Sequence, residues 1–335
     1  MRAVFRPARH YIIVLACAVV ALAIAAETNS LRLPQSGWIL WSAFPAFALE
    51  LAFFLAATLE STRARFACWG TPMVQAFALW ISALAPYLLF SGITGTFHVR
   101  NFALLVFLTG LLSFWNVVLP RSPVADLGFL ALAAAPMVAR LLPQIYESPD
   151  PHLRVDFLGP ALGHATWFRI GIVALLVLRR WDAGPFSLWP RLCEWRIGVI
   201  CYLLAVGPIS AMALAVHAVR FSPLQKDPMV VVFTAVTTFF GILWGVALGE
   251  DLFFQGVVTR ALVGTWNSWL VAITVSAILF GTVHLWVHGF PNWRWAIVVT
   301  VLGFACGAAY AKTGSVRAPM VTHAFVVTTW RLLFS

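Results

Sequence analysis

The chain has 335 residues, of which 61% are hydrophobic and only 10% charged, with a mean hydropathy of +0.90. Ordinary globular domains are about a quarter charged, so the composition excludes a soluble fold and predicts an all-α, polytopic transmembrane bundle. The net charge of +10, from 22 Lys+Arg against 12 Asp+Glu, is spread between apolar runs at Arg63/Arg65, Arg179/Arg180 and Arg191/Arg196. Such spacing fits loops held at an anionic leaflet and argues against nucleic acid as a partner.

A helix rises about 1.5 Å per residue, so about 20 apolar residues cross the hydrocarbon core. In chain order the expected spans are Tyr11–Ala26, Trp38–Leu59, Met73–Ser91, Phe102–Leu119, Leu127–Leu142 and Pro160–Leu178. Ile197–Val219, Met229–Gly249, Trp269–Trp286, Trp295–Ala311 and Pro319–Leu333 follow. That is roughly ten or eleven crossings, Leu127–Leu142 being short enough, with Pro136 inside it, to be re-entrant. The first run, after Arg2, Arg6 and Arg9, resembles a secretory signal but is long for one, and it reads as a retained first helix. The basic residues at that end place the N-terminus in the cytoplasm of a bacterial-type cell.

Two polar, proline-containing stretches, Glu147–Asp156 and Trp181–Glu194, read as loops, and the second is the best internal boundary. It separates an N-terminal membrane region over residues 1–190 from a second region over 195–335. Cys17, Cys68, Cys193, Cys201 and Cys306 are scattered without metal-binding or disulfide spacing.

Ionisable residues inside apolar helices are costly, so each marks a functional hypothesis. Glu50 reads as a local hydrogen-bonding partner, and His164 and Arg169 as flanking residues that snorkel. Three segments near the C-terminus are different. Glu250 and Asp251 follow a long apolar run, with Gln255 one turn on; His284 lies in Phe280-Gly-Thr-Val-His284, with His288 four residues later; His323 follows Pro319 in the last run. Gly245/Gly249 and Gly303/Gly307 have the spacing that lets membrane helices approach closely. A carboxylate and two imidazoles on separate helices form one site only if those helices pack around them.

The segments Glu250-Asp-Leu-Phe-Phe-Gln-Gly, Phe280-x-x-x-His284 and Lys312-Thr-Gly-Ser-(x)3-Pro-(x)3-His323-Ala resemble the three motifs of the CPBP family. These are the CAAX prenyl protease and bacteriocin-processing membrane proteins, also called Abi or Rce1-like glutamic intramembrane proteases. The resemblance covers about Met229–Leu333. It implies an Rce1-like helical core, no cofactor and no metal, and a membrane-associated protein or peptide as substrate, lipidated or not. Glu250 matches the catalytic glutamate that activates water, His284 the histidine that shares that water, and His323 the histidine that helps hold the oxyanion.

Two positions depart from the pattern. The family's Glu-Glu-x-x-x-Arg is Glu-Asp-x-x-x-Gln here, so an Asp251–Gln255 hydrogen bond is expected in place of an ion pair. The family's His-x-x-x-Asn has Val327 at its last position, and an apolar side chain donates nothing to an oxyanion. Thr328 is about 100° further around a regular helix. Besides an intramembrane endopeptidase, the sequence leaves open a catalytically silent binding or immunity protein. A metallohydrolase using Glu250, His284 and His323 as ligands also stays open, and a transporter is weaker still for want of repeats.

Overall fold

A computed structural model of the protein describes residues 2–32, 37–147, 158–181, 188–224, 227–287 and 289–334. Among them the chain forms thirteen helices and no strand. Much of both expected loops, residues 148–157 and 182–187, lies outside the described residues, as does His288. The helices divide into two compact units, Met1–Trp181 and Asp182–Ser335.

The first unit holds α1 (Arg2–Arg32), α2 (Gly37–Thr58), α3 (Glu60–Ala67), α4 (Pro72–Thr94), α5 (Val99–Val118), α6 (Pro123–Val138), α7 (Leu141–Ile145) and α8 (Leu158–Leu178). Start and stop signals sit where backbone chemistry needs them. Thr71 caps α4 through Val74 N with Pro72 at the first turn, and Gly95 ends it in the left-handed region at φ 72°. Helix α1 runs along α2, and the Tyr11 hydroxyl donates to Ala52 O at 3.0 Å.

A buried ion pair ties this unit together. Arg169 on α8 donates from Nε to Glu50 Oε1 at 2.7 Å and from Nη2 to Glu50 Oε2 at 3.0 Å. Its Nη1 reaches Ser82 Oγ on α4 at 2.9 Å, and Thr166 Oγ1 donates to Glu50 Oε2 at 3.0 Å. The Arg169 and Glu50 side chains are only 3% and 2% exposed. The expectation that Arg169 snorkels is therefore corrected. A guanidinium whose three nitrogens all find acceptors inside the bundle has no need to reach the interface. Glu50 is no local partner in sequence, since the residue it contacts lies 119 positions along the chain.

The second unit holds α9 (Leu192–Ala215), α10 (Pro228–Trp266), α11 (Trp269–Trp286), α12 (Trp293–Thr313) and α13 (Arg317–Leu333). Asp227 caps α10 through Met229 N, Ser268 caps α11 through Val271 N, and Asn292 caps α12 through Trp295 N. The core draws on all five helices: Ile209 and Ala213, Phe254, Phe280, Val298 and Leu302, Val326 and Trp330. Helix α13 lies at its centre, against α9, α10 and α12, and is buried over most of its length.

Eight helices are long and apolar enough to cross a membrane among the described residues: α2, α4, α5, α8, α9, α10, α11 and α12. The protein is thus a multi-pass integral membrane protein. Three of the eleven expected spans fall short. The apolar part of α1 covers Tyr11–Ile24 and that of α6 covers Val124–Pro136, while α13 has only 17 residues and carries Arg317, Thr322, His323 and Arg331. A helix surrounded by other helices need not satisfy lipid, so α13 can be polar where a lipid-facing span cannot. The expected break at Gly249 is also absent: α10 continues to Trp266, passing through π-helical stretches at Leu243–Ala247 and Leu252–Thr259.

Of the two glycine pairs, only one makes a helix contact on both members. A Cβ on Gly303 would meet Ala277 Cα at 2.9 Å, and one on Gly307 would meet Ile273 Cγ2 at 2.6 Å, so these residues let α12 touch α11. Gly245 faces open space, which corrects the reading of Gly245/Gly249 as a packing pair. Helix α9 approaches α13 tightly at Gly198, where a Cβ would lie 2.6 Å from Val321 Cβ and 2.7 Å from Ala318 O.

Two outcomes follow. Glu50→Ala strands the Arg169 charge and should destabilise the protein by about 3–5 kcal/mol, whereas Glu50→Leu with Arg169→Met should cost far less; unfolding in detergent measures both. Gly198→Val should cost about 1–3 kcal/mol by overpacking, while Gly207→Ala, whose Cβ would meet nothing within 4 Å, should be neutral or stabilising by up to about 1 kcal/mol.

Candidate active site

The three polar segments come together through α10, α11 and α13. On α10, Glu250 and Asp251 sit in a four-residue α-helical stretch, Leu248–Asp251, between the two π-helical ones. A π turn is rarely stable for its own sake and recurs at functional sites, because the extra residue re-aims the side chains on either side. The shifted register is visible at Thr259, whose hydroxyl donates to Phe254 O, five residues back, at 2.9 Å.

The His323 imidazole is the hub. Its Nε2 lies 3.9 Å from Glu250 Oε2, and its Nδ1 lies 3.3 Å from Asp251 Oδ2. Two consecutive residues of one helix thus address the two nitrogens of one ring. The Asp251 and His323 side chains are 2% and 4% exposed, whereas Glu250 keeps 26%, so the outer carboxylate is the one open to a reactant. The Nδ1–Oδ2 distance is that of an ion pair, but its angle misses hydrogen-bond geometry, and both atoms lack a formal hydrogen bond.

His284 sits where α11 passes into its last, 3-10 turn. Its Nδ1 lies 2.8 Å from Phe280 O. A carbonyl oxygen only accepts, so Nδ1 carries the proton, and in the neutral ring Nε2 is left with a lone pair. The Phe280 ring, itself buried, packs edge-on to both imidazoles, with centroids 4.9 Å from His284 and 5.9 Å from His323. One aromatic ring therefore touches both histidines.

Helix α13 is held in register from α9. Arg317 Nη2 pairs with Glu194 Oε1 at 2.7 Å, both nearly buried, and Glu194 Oε2 also accepts from Arg191 N. Thr322 Oγ1, next to His323, donates to Gly198 O at 3.0 Å. At the other end of the chain segment, Gly314 closes α12 in the left-handed region at φ 61°, so α13 can begin three residues later.

The remaining sequence expectations fall as follows. Gln255 is buried, but its Oε1 accepts from Thr259 Oγ1 at 3.0 Å. Asp251 faces His323 instead, which corrects the expected Asp251–Gln255 pairing: a buried carboxylate is better satisfied by an imidazole that can carry charge than by a neutral amide. Thr328 is buried with its hydroxyl unpartnered, and α13 is an unbroken α-helix from Arg317 to Leu333. No distortion turns Thr328 onto the His323 face, where half-buried Val327 lies.

Sequence reasoning missed Cys306. It is fully buried on α12, and Asp251, Cys306 and His323 each bring a possible donor atom within 4.8 Å of the others. That set differs from Glu250, His284 and His323, considered above as ligands. Its thiol also contacts Pro319 O at 3.8 Å. The available signal was positional, since Cys306 adjoins Gly307 on the helix that packs against α11.

No curated protein and no solved structure matches the chain. Residues 231–329 match a protein family described as "Type II CAAX prenyl endopeptidase Rce1-like". The match begins in α10 and ends in α13, so it contains Glu250, Asp251, His284, Cys306 and His323 and leaves out α9 and the whole first unit. The segment from 231 to 329 is an Rce1-like domain of the type II CAAX prenyl endopeptidase family.

Proposed function

We propose that the protein is an intramembrane endopeptidase in which Glu250 activates a water molecule against a peptide bond of a membrane-associated protein or peptide. The observation that carries this reading is the half-open Glu250 carboxylate, 3.9 Å from Nε2 of a buried histidine, on the helix whose next residue grips that histidine's other nitrogen. The family description supplies the substrate class, a protein or peptide chain, and the site lies in the unit formed by residues 182–335. The N-terminus is assigned to the cytoplasm on Arg2, Arg6 and Arg9 at the start of α1.

The chemistry follows from the donors and acceptors available. Water gives one proton to the Glu250 carboxylate as its oxygen bonds to the scissile carbonyl carbon. The lone pair on His284 Nε2 accepts the water's second hydrogen and aims the oxygen. Negative charge moves to the carbonyl oxygen, where His323 Nε2–H is the available donor. Collapse of the tetrahedral intermediate breaks the C–N bond, and Glu250 returns its proton to the leaving nitrogen. Every step uses groups already held in place, which is where most of the stabilisation in such sites arises.

Val327 favours a second reading, a catalytically silent relative that binds membrane proteins, because the family's asparagine donor is missing there. Removing one oxyanion donor typically costs about 10²–10³-fold in turnover. With quenched peptides that end in lipidated or unmodified CAAX sequences, Glu250→Gln should abolish cleavage, and Val327→Asn should raise turnover by up to about 10²-fold. Cleavage that survives Glu250→Gln would sink the glutamate mechanism. Absence of cleavage in every variant, with peptide still retained by the protein, would establish the silent one.

A metal test separates the remaining alternative. The purified enzyme should keep its turnover after a strong chelator and carry no stoichiometric zinc by elemental analysis. Zinc lost together with activity would replace water activation by Glu250 alone with a metal-bound hydroxide.

A further inference from the structure

The geometry points to Asp251 as the positioning residue that holds His323 with its Nδ1–H toward the Asp251 carboxylate and serves as counter-ion when Nε2 is also protonated, so that Nε2–H is presented to the oxyanion. This rests on the endopeptidase reading for its catalytic consequence, but not for its geometry.

The argument begins with what a buried imidazole requires. A neutral histidine has one N–H and one lone pair, and either nitrogen can hold the proton. If the proton sat on Nε2, the Nδ1 lone pair would face Asp251 Oδ2 at 3.3 Å, acceptor against acceptor, with both groups almost wholly excluded from solvent. Placing the proton on Nδ1 removes that repulsion. A single N–H at Nδ1 would, however, leave Nε2 without a hydrogen to donate. With Asp251 ionised, only the doubly protonated ring serves both sides, and it needs a compensating charge inside the bundle. Asp251 supplies it at Nδ1, and Glu250, at 3.9 Å from Nε2, supplies a second carboxylate on the reactive side. Cys306 of the same cluster is a thiol and brings no positive charge, and His284 faces the carbonyl of Phe280 through its Nδ1.

The two departures from the family pattern then belong together. With Gln255 in place of arginine, no guanidinium competes for Asp251, and Gln255 is engaged by Thr259. The carboxylate is free to serve His323. With Val327 in place of asparagine, His323 is left as the donor at the oxyanion, and a ring held doubly protonated is the form in which it can donate from Nε2.

Nitrogen NMR of histidine-labelled, full-length protein in detergent or bilayers reads the tautomer directly, with His323 assigned by the signals that vanish in His323→Gln. In the wild type both His323 nitrogens should be protonated. Asp251→Asn, which keeps the shape but removes the charge, should convert the ring to a neutral tautomer. It should also lower kcat by about 10²-fold or more with KM unchanged, and Asp251→Glu should recover part of both signals. Cys306→Ala, which alters the same cluster without removing charge, should leave the His323 signals as in the wild type. Unchanged His323 signals in Asp251→Asn overturn the assignment whether or not the protein cleaves peptides. So does a stoichiometric metal whose removal shifts the His323 signals and whose binding needs Cys306, since Asp251, Cys306 and His323 would then be its ligands. If Asp251→Asn alters the tautomer but no variant ever cleaves peptide, the positioning role stands and the endopeptidase reading fails.

Discussion

The His323 imidazole has to be polar, buried and oriented at once, and that constraint governs much of the second unit. In hydrocarbon a polar ring without partners costs several kcal/mol, so it must be surrounded by helices and met on both nitrogens. Asp251 and Glu250 meet it from α10, and the Phe280 ring supports it from α11. These contacts are possible only if α13 sits deep inside the unit. The deep position in turn requires the Gly198 contact on one side and the Glu194–Arg317 pair at the helix start.

The same solution recurs in the first unit with different chemistry. Glu50, Ser82, Thr166 and Arg169 form a closed set in which the carboxylate and the guanidinium satisfy one another. Nothing in that set is left half-open. The second unit differs in this respect: Glu250 keeps about a quarter of its side-chain surface accessible, and Asp251 and His323 face each other without ideal alignment. A complete network rigidifies a bundle, whereas an incompletely satisfied one is where a reactant can be accommodated. The contrast separates a closed ion pair from a partly open cluster built from the same kinds of residues.

Adjacent residues of α10 share one ring although Glu250 and Asp251 both lie in its short α-helical stretch. In an ideal α-helix neighbouring side chains diverge by about 100°. Here the stretch Leu248–Asp251 is flanked on both sides by wider turns, and Glu250 and Asp251 reach the two nitrogens of His323. Helix α10 accordingly runs without interruption past the point at which its sequence stops being uniformly apolar.

The sequence by itself determined the class of protein, the existence of most spans and which segments carry the polar residues inside them. Long apolar runs and the order of Glu250, His284 and His323 are local properties, and local properties are legible in one dimension. Partner choice was not legible. Whether Asp251 meets Gln255 or His323, whether Arg169 snorkels or pairs with Glu50, and which glycine pair touches a neighbour all depend on distances between residues far apart in the chain. The polar content of the last expected span has the same origin. Hydropathy measures what a helix would cost in lipid, and α13 faces protein, so only the packing of α9, α10 and α12 around it decided that its polar residues could be buried.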